Sequence, residues 1–270
     1  MNILKFIETF TDDSLMARTG SRRDSFNQFG NMGRNLALAS IPFGLSAMAN
    51  KALAKDITVT PATPIGALQF ALTLEYLENE FYAMALDSGV IPASENGGRD
   101  LKVFQQIADH EADHVKFLIA GLGGTMSPNF VAKPTFDFTV GGAFDPFHDY
   151  PTFLALAQAF EDTGVRAYKG QAANLISTPD LLTAALQIHS VEARHASEVR
   201  RLRGLKGWIS NAERGAGMPA ATQAVYDGEG VTMQAGYNTA SLFGAAAGSE
   251  AYDEPLNTQQ VVDIANLFIV

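Results

Sequence analysis

Two stretches set charged side chains where the surrounding residues predict a buried helix. "IADHEADHVKFL" (107–118) places His110, Glu111 and His114 among Ile107, Val115 and Leu118, and "IHSVEARHASEV" (188–199) places His189, Glu192 and His195 among Ile188, Ala196 and Val199. In each, a glutamate and a histidine stand three apart, the spacing of neighbours on one helix face. They share that face with the apolar positions and are predicted to point inward. Two further seams carry a lone glutamate: Leu68, Leu72, Glu75, Asn79, Tyr82, Leu86, and Leu154, Gln158, Glu161, Val165, Tyr168. In both, a tyrosine follows two turns after the glutamate. Glu78 is a second inward-capable acid on the first seam, and its counterpart on the second is Gly164, so the internal symmetry favours Glu75.

Four carboxylates in an apolar interior cannot all stay ionised without counter-charge, because desolvation and mutual repulsion raise their pKa values. Two divalent cations neutralise four glutamates. The charge arithmetic therefore points to a pair of metal ions, with each histidine a terminal nitrogen ligand and the glutamates chelating or bridging. Oxygen-rich ligation with one imidazole per ion suits two Fe ions first and two Mn ions second, ahead of closed tetrahedral zinc. Around this set, Tyr82, Tyr168, Glu78, His110 and His189 are candidates to contact the ligands, each with a plainer reading as an ordinary core or surface residue. Asp109, Asp113, Glu80 and Glu198 fall on outward arcs and read as solvated charge. His148 reads as loop structure.

Four helices have to position these groups. Thr63-Pro64 opens the first, which runs to Ser88-Gly89, and the second runs from about Arg99 to Ala120. Asp149 and Pro151 open the third, lasting to about Asn174, and "STPD" (177–180) caps a fourth that ends near Gly204. Glu75 precedes the end of its helix by nearly the distance at which Glu111 follows the start of its own, about 20 Å at the helical rise. Glu161 and Glu192 stand in the same relation across the second hairpin, so all four glutamates can meet at one level. Short links make helices 1 and 2, and helices 3 and 4, antiparallel hairpins. The Gly-, Pro- and Phe-rich stretch 121–150 is long enough to carry the chain back along the bundle, and its "TFDFTV" reads as a short extended piece. The fold class is all-α, a four-helix bundle with one long crossover. Residues 60–204 form the bundle. Residues 205–270 are expected to wrap it irregularly and end in a short helix from Asn257, whose Val261, Val262, Ile264, Ala265 and Phe268 make one buried face.

The chain has 270 residues, no cysteine, and a formal net charge of −10. Without a cationic cluster, nucleic acid is not an expected partner. Without thiols, any metal must use oxygen and imidazole. No run reaches the ~18–20 apolar residues of a membrane-spanning helix. In residues 1–54, Arg22 and Arg23 precede an apolar tract and an Ala52-Leu53-Ala54 end, the order of a twin-arginine export signal, although Phe26 sits one place late and Arg34 interrupts the approach. The alternative is an amphipathic arm that docks on the bundle or a neighbouring subunit. The first predicts a periplasmic or extracellular location, the second a cytoplasmic one.

At "LEYLENEFY", "EADH", "FEDTGVRAY" and "EARH" the chain resembles the ferritin-like superfamily of di-iron and di-manganese carboxylate proteins, over about residues 64–204. It is most similar to the ferritin-like-domain group that includes desiccation- and stress-related proteins, whose C-terminal segment "EAYDEPLN" also resembles. The resemblance implies a ferritin-like bundle and the ligand set Glu75, Glu111, His114, Glu161, Glu192 and His195, which would also be the catalytic groups. It implies an oxidoreductase of stress defence, ferroxidase or catalase-like, with ferrous iron, O2 or H2O2 as substrate. The alternative is a stress-associated structural or assembly protein in which the metals only hold the bundle together, with the terminal extensions as contacts in a homo-oligomer. A vestigial site without metal ranks last.

Overall fold

A computed structural model of the chain describes residues 57–270. The two expectations for residues 1–54 fall outside the described residues. Helix α1 spans Pro64–Ser88: the Thr63 hydroxyl accepts from the Gly66 N–H at 3.1 Å, Pro64 supplies a first-turn φ, and Gly89 ends the helix in the left-handed region at φ 72. A 3₁₀ turn, Glu95–Gly98, leads into α2, Arg99–Gly121. Helix α3, Tyr150–Leu175, starts at Asp149, whose carboxylate accepts from the Thr152 N–H at 2.9 Å. Helix α4 is Pro179–Leu202. Its start differs from the predicted cap: the Thr178 hydroxyl donates to the Leu175 carbonyl instead, so α4 begins on the proline alone.

The architecture is an all-α bundle in which α1 packs along α2, α3 along α4, and α1 beside α3. At one end the core is aromatic. Phe81 meets Phe160 at 4.9 Å between ring centres, Phe104 meets Phe153 at 4.7 Å, and the crossover adds Phe138 and Phe147. The other end is filled by small and aliphatic residues, among them Ala67, Ala71, Leu118, Leu175 and Leu181. Asp100, buried in the first turn of α2, accepts from Tyr150 Oη and from Asn96, both at 2.8 Å, and so ties the starts of α2 and α3 together.

Residues after α4 wrap the outside of α3. They are more regular than the sequence predicts: a 3₁₀ turn at Ala220–Thr222, α5 (Gln223–Tyr226), an antiparallel pair β1 (Met233–Gln234) and β2 (Tyr237–Asn238), α6 (Ala240–Ser249) and α7 (Thr258–Ala265). A capping box starts α7: Asn257 accepts from the Gln260 N–H at 3.0 Å, and Gln260 accepts from the Asn257 N–H at 2.9 Å. Val261, Val262, Ile264 and Ala265 are buried, and Phe268 stacks edge-on against Phe160. The extended piece at Thr135–Asp137 pairs with the last residues, through Asp137 N–H to the Phe268 carbonyl at 2.8 Å and Val270 N–H to the Thr135 carbonyl at 3.0 Å.

Wrapping buries α3 almost all round, and its outer face carries the charges that make this tolerable. Arg166 is 1% exposed and is matched by Glu229 at 2.7 Å and by the carbonyls of Val225, Asp227 and Glu254. Arg200 grips Asp162 through two hydrogen bonds, at 3.0 and 2.5 Å, and Tyr226 donates to the same carboxylate. Gln158, which its spacing assigns to the inward seam, belongs to this outer network: it donates to Tyr226 Oη at 2.9 Å and to the Arg214 carbonyl, and accepts from Arg203. Buried pairs of this kind survive because every charge is met.

Contact between α3 and the wrapping segment leaves no room at Gly170, where a Cβ would lie 2.0 Å from the Leu256 carbonyl oxygen. Alanine is the better helix former by about 1 kcal/mol. Gly170→Ala is nevertheless expected to destabilise the protein, by about 1–3 kcal/mol from overpacking. Denaturant unfolding monitored by circular dichroism reads the sign; a stabilised variant would mean that this segment does not dock on α3.

Candidate metal centre

Midway along the bundle the four predicted glutamates converge. Glu75 on α1, Glu111 on α2, Glu161 on α3 and Glu192 on α4 have no exposed surface, and His195 is buried beside them. His114 keeps 12% of its side chain exposed. Two overlapping groups of ligand atoms result, each with all members within 4.8 Å of one another: Glu75, Glu111, His114 and Glu192, and Glu111, Glu161, Glu192 and His195. Glu111 and Glu192, from the two Glu-x-x-His turns, are common to both. Glu75 and Glu161 each belong to one.

Approximate two-fold symmetry relates the halves. Helices α1 and α3 run antiparallel, so Tyr168 Oη donates to Glu75 Oε1 and Tyr82 Oη donates to Glu161 Oε1, each tyrosine serving the glutamate of the opposite helix. Burial and the neighbouring carboxylates push both phenols well above their ordinary values, which keeps them donors. Both histidines present Nδ1 to the centre. His114 Nδ1 lies 3.0 Å from Glu111 Oε2, 3.2 Å from Glu75 Oε2 and 3.2 Å from Glu192 Oε1. His195 Nδ1 lies 2.9 Å from Glu111 Oε1 and 3.3 Å from Glu161 Oε2, and its Nε2 meets His110 Nδ1 at 2.9 Å with the two rings stacked.

Several of these atoms lie close together yet make no hydrogen bond. Both oxygens of Glu192, Glu111 Oε1, Glu161 Oε2 and His195 Nδ1 are buried and unsatisfied. Buried polar atoms without partners cost about 1–3 kcal/mol each. Imidazole nitrogens and carboxylate oxygens here stand 2.9–3.3 Å apart, and ligand atoms held about 2.1 Å from one six-coordinate cation sit about 3 Å apart. The donor set, four carboxylates and two imidazoles with no thiolate, fits two divalent cations.

Electrostatics agrees. Desolvation pushes the Glu75 carboxyl up to about 7 against the pull of His114, and burial with the neighbouring acids pushes Glu192 and Glu78 well up and Glu161 up. Glu111 is held low, the two imidazoles outweighing its burial. Burial lowers His195, but Glu161 and Glu111 overcome it and hold the ring at about 11, and Glu75 and Glu111 likewise raise His114.

The remaining predicted residues separate. Tyr82, Tyr168 and His110 contact the ligand set. Glu78 is 3% exposed beside Glu192. His189 does not reach the cluster: its charged neighbours are Lys169 and Asp253 on the outer side of the bundle, because a step of six residues from His195 turns it off the inward face. Glu80, Asp113 and Glu198 form surface pairs with Lys133, Lys116 and Arg99, and His148 pairs with Asp145 in the crossover.

A family model described as a ferritin-like domain matches residues 63–205. The chain belongs to the ferritin-like domain family. The matched span of this ferritin-like chain runs from the cap of α1 to just beyond α4 and contains all six cluster residues. No curated protein matches the chain.

A carboxyl or imidazole whose pKa is raised on folding adds stability that is complete below its unfolded value and is lost as pH rises through its folded value. Glu75 loses its contribution between 4.5 and about 7, and His195 between 6.5 and about 11. Glu111 has the opposite sign, but its window lies below 4.5. Protein stripped of metal by a chelator is therefore expected to melt at a lower temperature at pH 8 than at pH 5, and metal loading should flatten the trend by displacing those protons. Thermal melts across this range read it; a midpoint rising steadily with pH in stripped protein would contradict the arrangement.

Proposed function

We propose that this ferritin-like protein is a dinuclear metal oxidoreductase, of ferroxidase or catalase-like type, acting in stress defence on O2, H2O2 or ferrous iron. The observation that supports it most is the sharing of Glu111 and Glu192 between two ligand groups, which suits a pair of ions held side by side rather than two separate sites. Two Fe ions are the first choice and two Mn ions the second, since oxygen-rich six-ligand sets favour both over zinc. When bound, such a pair supplies electrons to, or accepts them from, an oxygen substrate.

The chain's own residues hold the geometry for this. Tyr82 and Tyr168 orient Glu161 and Glu75 by donating to one oxygen and leaving the other for a cation. His110 holds the His195 ring so that Nδ1 faces inward. The aromatic end of the core and the burial of all four glutamates exclude bulk water, which strengthens every charge interaction within the site.

Two metal ions per chain are expected by elemental analysis of native protein. Loading should raise the melting temperature by about 10 °C, the effect of several kcal/mol of ligand binding on a domain of this size. Consumption of O2 or peroxide should accompany it, and Glu192→Ala should lower both metal content and turnover, the latter by about 100-fold. Protein with two metals that consumes neither oxidant would refute the enzymatic reading. That outcome would favour the stabilising one, in which the ions only hold the bundle together; the complete burial of the four glutamates speaks for it.

A further inference from the structure

The two-fold symmetry of the centre fails at one place. One turn beyond Glu75 on α1 stands Glu78, and one turn beyond Glu161 on α3 stands Gly164. The helices are antiparallel, and these two residues face each other across the α1–α3 contact. A Cβ at position 164 would lie 3.0 Å from Glu192 Oε2 and 3.3 Å from Glu78 Oε1. Both carboxylate oxygens therefore point into the single small space that the glycine leaves open. Gly164 has ordinary helical geometry and no positive φ, so its use lies in that space rather than in backbone freedom.

Glu78 is 3% exposed and no hydrogen bond or cation meets its carboxylate among the described residues; the charges acting on it most are those of Glu192, Glu161, Glu111 and Glu75. Glu192 Oε2 is buried without a hydrogen bond on the same space, while its Oε1 faces His114 Nδ1 at 3.2 Å. Glu78 and Gly164 together border a cavity of about 20 Å³, lined also by Leu77, Thr163, Ile264 and Phe268, which is room for about one water. The side chain thus has freedom to move toward or away from Glu192 without leaving the protein. Glu78 stands outside both groups of ligand atoms, and it would join them by moving through the space that the glycine opposite keeps clear.

We propose that Glu78 is a seventh ligand of the dinuclear centre, present on the α1 side and missing on the α3 side, so that the two ions are held unequally. This rests on the metal reading above. Five carboxylates exceed the charge of two divalent ions by one, and the excess lies on the side of Glu78. The ion nearer Glu78 is bound more tightly, and Gly164 is the residue that permits it.

Cobalt(II) titration of metal-stripped full-length protein, followed by visible absorption and calorimetry, tests the inequality without any assay of turnover. Wild type is expected to fill in two steps of different affinity. Glu78→Gln, which keeps the shape of the side chain and removes its charge, should weaken one step by about tenfold or more and leave the other within about twofold, so that the two converge. Gly164→Ala, which intrudes on both oxygens, should weaken the same step. Glu78→Asp, retracted by one methylene, should fall between wild type and Glu78→Gln and serves if the glutamine variant folds poorly. Two equal steps in wild type, or two steps unchanged in Glu78→Gln and Glu78→Asp, would overturn the proposal while leaving the dinuclear reading standing. Wild type that takes up no cobalt would instead bring down the dinuclear reading itself.

Discussion

Everything in this bundle is arranged around the repulsion of carboxylates brought out of water. Moving one ionised acid into an apolar core costs several kcal/mol even after relaxation, and here four glutamates share one level with no arginine or lysine among them. Two buried cations of the bundle, Arg166 and Arg200, are committed to Glu229 and Asp162 on the outer face of α3. Among the described residues, two imidazoles and two phenols meet the central carboxylates. The rest of the compensation is left to something that binds.

That constraint explains why the surroundings are so heavily braced. A site whose ligands repel one another would spread its helices apart unless they were held from outside. Helix α3, which carries Glu161, is clamped on its far side by the Arg166 and Asp162 networks and by the close approach of Leu256 to Gly170. The aromatic end is closed by α7 and by pairing of the last residues with the crossover. Ile57 ahead of α1 exchanges two hydrogen bonds with Asn266, at 2.9 and 3.1 Å, which joins both margins of the described chain across the same face. Stability at the rim allows tension at the centre.

Much of this was legible in the residues. The Glu-x-x-His turns, the lone glutamates on apolar seams and their level placement follow from helical periodicity, which depends on spacing alone. The capping box at Asn257 and the buried face of α7 follow from equally local rules. What periodicity could not show is what lies outside a helix. Helical spacing alone does not mark Arg166 and Arg200 as buried, and it is the segment after α4 that covers them. Arg166 is satisfied largely by backbone carbonyls, which leave no mark in a sequence. Gln158 occupies a seam position yet turns to that outer network, because α3 is buried on two faces and a single seam cannot describe it. The crossed bonds of Tyr82 and Tyr168 depend on the antiparallel register of α1 and α3, a tertiary fact. Gly164 was visible only as the missing partner of Glu78, and its meaning came from the atoms around it.

The strand-like pairing of residues 268–270 with Thr135–Asp137 makes the crossover and the segment after α7 one mechanical unit. Phe268 and Ile269 sit in the same core as Phe81, Phe138 and Phe160, so parting the two extended pieces uncovers aromatic surface on both sides at once. Two stretches more than a hundred residues apart in the chain therefore fray together or not at all.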